Sequence, residues 1–67
     1  MVSTGKVTNV VEEGNTIIIN IVFMDDTEKT VVLPNEDSNK YKDKYVICGM
    51  DSDNNTKILE IVGDEAD

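Results

Sequence analysis

Hydrophobic positions along the 67-residue chain fall into five short bursts separated by polar turn formers, the pattern of an antiparallel meander or barrel. The strongest burst is Thr16-Ile17-Ile18-Ile19-Asn20-Ile21-Val22-Phe23-Met24, with β-branched residues at most positions. Branching at Cβ stiffens χ1 and suits a pleated surface better than a helix, so this run predicts a strand. Alternation divides it into Ile17, Ile19, Ile21 and Phe23, all apolar, and Ile18, Asn20, Val22 and Met24, interrupted only by Asn20. The odd set is the expected core. The even set also asks for cover, either from a closed barrel that bends the strand or from a second copy of the chain in a dimer.

The other bursts are weaker. A first strand is expected near Lys6 to Glu12, with Val7 and either Val10 or Val11 inward, closed by Glu13-Gly14-Asn15, where Gly and Asn accept positive φ. Asp25-Asp26-Thr27-Glu28 reads as a hairpin into a third strand at Lys29 to Leu33, ended by Pro34, which has no N–H for the ladder. Asn35 to Asn39 forms a polar connection with room for one helical turn. A fourth strand is expected at about Tyr45 to Met50 and a fifth at Thr56 to Val62, joined by Asp51-Ser52-Asp53-Asn54-Asn55. Residues 63–67, Gly63-Asp64-Glu65-Ala66-Asp67, should fray as an acidic tail. The expectation is an all-β fold of one domain spanning residues 1–67: a small, partly closed five-stranded barrel with little or no helix.

A chain this short buries only about 60% of its unfolded surface, so its net stability should be a few kcal/mol. The single Cys48 cannot form an internal disulfide and there is no His, so neither a disulfide framework nor a zinc site is expected. No cofactor is called for. Met1-Val2-Ser3-Thr4 carries neither a basic region nor a long apolar run, so a cytoplasmic protein without membrane attachment is expected.

Fourteen Asp and Glu against six Lys and no Arg give a formal net charge of −8. Arg is the side chain that forks onto phosphates and stacks on bases, so its absence counts against nucleic acid even more than the net charge does. A basic protein partner suits such a surface, although acidity also serves solubility alone.

One segment has the composition of a ligand surface. Asn39-Lys40-Tyr41-Lys42-Asp43-Lys44-Tyr45 holds three of the six Lys and both Tyr. If extended, it would place Lys40, Lys42 and Lys44 on one face and Tyr41 and Tyr45 on the other, the stacking rings beside cations that single-stranded nucleic acid needs. The alternative is that the two rings plug the end of the barrel. Asp51, Asp53 and Asn55 have the spacing of half a calcium loop, but Thr56 and Val62 stand where that loop requires Gly and Glu, so no metal site is assigned. With no His and no carboxylate pair marked by an apolar setting, no catalytic residue is assigned and an enzyme is not expected; a thiol such as Cys48, mid-strand, is normally buried and inert.

Gly5-Lys6-Val7, Ile21-Val22-Phe23-Met24-Asp25-Asp26 and Tyr41-Lys42-Asp43-Lys44-Tyr45-Val46-Ile47-Cys48-Gly49 resemble the first strand, the end of the second and the turn into the fourth in the oligonucleotide/oligosaccharide-binding (OB) family of small barrels. SH3-like and Sm-like barrels are the second resemblance. The chain departs from the OB pattern in its short connection between strands three and four and in lacking ligand-face aromatics with nearby Arg. Three functions are therefore expected in order: a non-enzymatic protein-binding module, such as a phage or mobile-element inhibitor or accessory factor engaging a basic partner; a single-strand nucleic-acid-binding barrel; and a self-associating structural subunit.

Overall fold

The computed structural model describes residues 2–64. They form β1 (Val2–Glu13), β2 (Thr16–Phe23), β3 (Glu28–Pro34), a single 3-10 turn (Ser38–Lys40), β4 (Tyr45–Met50) and β5 (Thr56–Gly63). All paired neighbours are antiparallel and the order across the sheet is β3-β2-β1-β4-β5. The sheet curls until its edge strands, β3 and β5, touch without sharing a hydrogen-bonded ladder. The fold is thus all-β and partly closed.

β1 is the shared strand. It pairs with β2 from Gly5 to Glu13 and with β4 from Val2 to Lys6. It begins four residues before the expected start at Lys6, because the inward-facing positions in that stretch are Ser3 and Gly5, which leave no apolar mark in the sequence. A Cβ at Gly5 would lie 2.5 Å from Ile21 Cγ2 and 2.9 Å from Phe23 Cδ1, so the side chains of β2 occupy the space. Gly5→Ala should lower the unfolding free energy by about 1–3 kcal/mol through overpacking. The check is the urea midpoint, and an unchanged midpoint would show that Ile21 and Phe23 can move aside.

The register slips between Val7 and Asn9, leaving Thr8 as a bulge. The slip decides which valine faces the core: Val7 lies opposite Ile21 and Val10 opposite Ile19, while Val11 turns outward. Two further irregularities in the β4–β5 pairing put Val46 opposite Ile61 and Cys48 opposite Ile58, so two core positions of β5 lie three residues apart and Leu59 is exposed.

The core is Val7, Ile17, Ile19, Ile21, Val31, Val46, Cys48 and Tyr41. The odd face of β2 is buried as expected, with Phe23 partly so. The sheet does not itself cover the even face: Ile18, Asn20 and Val22 are half-buried and Met24 is 96% exposed. Asn20 is accommodated there because Thr30, directly opposite on β3, donates its hydroxyl to Asn20 Oδ1 at 3.0 Å. The tail also differs from expectation: Gly63 belongs to β5 and Asp64 forms an ion pair with Lys44, while residues 65–67 lie outside the described part of the chain.

Candidate functional site

The β3–β4 connection closes one end of the curled sheet. Asp37 caps the 3-10 turn by accepting from Asn39 N, and Tyr41 follows it into the interior, where its ring is 6% exposed. The Tyr41 hydroxyl donates to Glu36 Oε1 at 2.8 Å, and Lys40 Nζ reaches the same oxygen at 3.1 Å. Asp43 takes a positive φ of 60° and Val7 N donates to Lys44 O, so the segment turns sharply before β4.

This geometry separates the residues of the Lys/Tyr segment. It is not extended, and the two rings do not share a face: Tyr41 lies inside, while Tyr45 is half-exposed on the outer face with Lys6 Nζ 5.5 Å from its ring centroid. Lys40 is held by Glu36 and lies 5.6 Å from the Tyr41 ring, Lys44 pairs with Asp64, and Lys42 is exposed. The alternation that put the rings together holds only in a strand, and the turn formers Asp37, Ser38 and Asn39 prevent one.

Burial and the Glu36 carboxylate raise the Tyr41 phenol from its ordinary 10 to about 12, since both oppose a second negative charge. In return the Tyr41 hydroxyl, then Lys40, lower the Glu36 carboxyl below its usual range. A phenol raised on folding adds stability that is complete below pH 10 and lost as pH rises toward 12. In Tyr45→Phe, leaving one tyrosine, phenolate absorbance should therefore rise with a midpoint near 12 in the folded protein. A midpoint at 10 with the fold intact would mean that the ring is in water.

The opposite end is open, and the register explains it. Inward-facing positions that are Val or Ile in the middle of the sheet become Ser3 on β1, Lys29 opposite Ile21 on β3, and Met50 opposite Thr56 on β4 and β5. These side chains cannot close a core. They line a cleft of about 440 Å³ together with Phe23, Met24 and Cys48. Beside it, on the outer face, a second hollow of about 220 Å³ is lined by Lys6, Val22 and Tyr45, with Thr4, Phe23 and Met24 common to both. Burial pushes the Cys48 thiol up, so it stays protonated and unreactive at neutral pH.

Two hairpins frame the cleft with one shared design. In each, the residue before a three-residue loop bonds across it, Phe23 with Thr27 and Asp51 with Asn55, and the third loop residue is left-handed, Asp26 at φ 65° and Asn54 at φ 66°. Asp25 Oδ1 accepts from Thr27 N, and Asp51 Oδ1 accepts from Asp53 N and Asn55 N. Hydrogen bonds from Thr27 lower the Asp25 carboxyl, and the Asn55 N–H leads the lowering of Asp51, so both are anionic at neutral pH. The Asp51, Asp53 and Asn55 string is thus used in shaping the hairpin, with Asp51 turned to its own backbone.

The acids of the open end form no contact-length ion pair with a described residue, although Lys29 acts on Asp25 and Lys57 on Asp51 at longer range. Asp25, Asp26, Glu28, Asp51 and Asp53 stand in or beside the two hairpin turns against Lys29 and Lys57. Among the described residues the two ion pairs, Lys40–Glu36 and Lys44–Asp64, both lie at the closed end. The sequence signal for the open end was the interruption of apolar alternation by Ser3, Lys29 and Thr56. No helix among the described residues is long and apolar enough to cross a membrane. No protein family, curated protein or solved structure matches the chain.

Proposed function

We propose that the protein is a non-enzymatic protein-binding module, a small acidic inhibitor or accessory factor of the kind mobile elements encode, acting in the cytoplasm on a basic partner. The observation that carries this reading is the excess of acidic over basic residues in and beside the two hairpin turns of the open end, none held in a contact-length ion pair with a described residue, next to exposed apolar side chains. Such a combination attracts a cationic protein over distance and offers it apolar contact on arrival. Immobilised protein should capture a basic protein from extract of its native host in a salt-sensitive manner. Neutralising Asp26, Glu28 and Asp53 to the corresponding amides should release it. Capture unaffected by these changes would contradict the reading.

A second reading, single-strand nucleic-acid binding, is favoured by the strand order. A β1 flanked by β2 and β4, with β3 beside β5, accords with the OB resemblance better than with an SH3-like one, and OB barrels bind oligonucleotides. Tyr45 with Lys6 over its ring is the accessible stacking surface. The net charge of −8, the absence of Arg and the burial of Tyr41 weigh against it.

A further inference from the structure

The open end differs from an ordinary loop surface in being hollow, apolar and flanked by two acid-rich turns at once. Met24 is 96% exposed at the tip of one hairpin and Met50 49% exposed at the base of the other. Large apolar side chains displayed across a cleft are a marker of an interaction surface, and Met adapts its shape to what it meets. We propose that the cleft between Met24 and Met50 is the docking site for a basic segment of a partner protein, which inserts one apolar side chain between the two methionines. The inference rests on the protein-binding reading and names the site and the chemistry of the segment.

Volume, charge and register agree on this occupant. The cleft of about 440 Å³ has room for a large aliphatic or aromatic side chain with adjoining backbone. Its floor is Phe23 and Cys48, and Ser3 and Thr56 at its edge can bond to the backbone of an inserted chain. Asp25 and Lys29 line the cleft, and Asp26, Glu28, Asp51 and Asp53 stand in or beside the two flanking turns with Lys57, an excess of acid in which no contact-length ion pair forms among the described residues, although Lys29 and Lys57 act on Asp25 and Asp51 at longer range. A segment carrying Lys or Arg on either side of its apolar residue would complete those pairs, whereas a phosphate-bearing ligand would be repelled at the same place. Because Met24 also borders the hollow that reaches Tyr45, residues flanking the inserted one have apolar surface to lie on.

The test uses the full chain and a short labelled peptide of alternating lysine and leucine, beside the same peptide with serine replacing leucine. At low salt the leucine peptide should bind about tenfold more tightly, the effect of partly withdrawing one aliphatic side chain from water. Amide shifts on binding should concentrate at Ser3, Thr4, Met24, Thr27, Cys48 to Met50 and Thr56. Met24→Ser combined with Met50→Ser should remove the preference for leucine while leaving the melting temperature within a few degrees, since Met24 is almost wholly exposed and Met50 half-exposed, neither in the core cluster. Equal affinity for the two peptides, or shifts confined to the closed end or the outer face, would overturn the docking site while leaving an acidic protein-binding surface elsewhere. Failure of every cationic peptide to bind at low salt would overturn both.

Discussion

Truncating Ile19 or Ile21 to Ala should destabilise the protein by about 2–5 kcal/mol, enough to unfold much of the population of a domain this small. Both side chains are fully buried, in β2 at the centre of the core, opposite Val10 and Val7 on β1, and their removal leaves cavities that a tightly curled sheet cannot collapse. Ile18→Ala and Val22→Ala should lose less, because these residues are half-exposed on the outer face. Denaturant melts at two protein concentrations provide the measurement. Similar losses on the two faces together with concentration-dependent melts would mean that a second copy covers Ile18, Val11 and Val32, which lie in one cross-strand row.

Tyr41→Ala should be the other severe change, costing about 3–5 kcal/mol, the scale for deleting a buried aromatic ring. The ring fills the closed end, and its hydroxyl ties the β3–β4 connection to Glu36. Tyr45→Ala should cost clearly less, since that ring lies half-exposed on the outer face beside Lys6. Tyr41→Phe isolates the part-buried hydrogen bond to Glu36, whose loss should be small beside that of the ring. Urea melts of the three variants give the order directly; Tyr45→Ala falling as far as Tyr41→Ala would mean that both rings are structural plugs.

Much of the architecture was legible because it follows from local rules. Ile17, Ile19 and Ile21 mark the core face by period-two alternation, Pro34 ends β3, and Gly14, with a φ of 58°, sits in the β1–β2 turn. What escaped the sequence depends on contacts between distant residues. The start of β1 was hidden because Gly5 makes room for Ile21 and Phe23, and the choice between Val10 and Val11 hung on a bulge at Thr8. The even face of β2 was expected to be covered by the barrel or by a second copy; the curled sheet has one interior and does not cover it, and Thr30 satisfies Asn20 on that outer side. In the Lys/Tyr segment, composition carries no geometry: the backbone turns at Asp43 and sends Tyr41 inward and Tyr45 outward.

The open end escaped for a further reason. Ser3, Lys29 and Thr56 are unremarkable polar residues singly, and only the pairing of β1 with β4, β2 with β3 and β4 with β5 gathers them at one end of the sheet. A cleft made by missing side chains carries no motif. The acids around it were visible as turn residues, where Asp25 and Asp51 bond to the backbone N–H groups of their own loops, and their clustering follows from the two hairpins facing the same end.

Titration of the protein into a labelled single-stranded oligonucleotide at low salt tests most directly whether it is a partner for basic proteins or for nucleic acid. No binding is expected, because lowering the salt strengthens the repulsion between phosphates and a surface of charge −8, and Lys6 beside Tyr45 is too little to reverse it. Micromolar binding that weakens with added salt and is lost in Tyr45→Ala, with the melt of that variant close to the parent's, would contradict it and make the outer face of β1 and β4 a nucleic-acid surface.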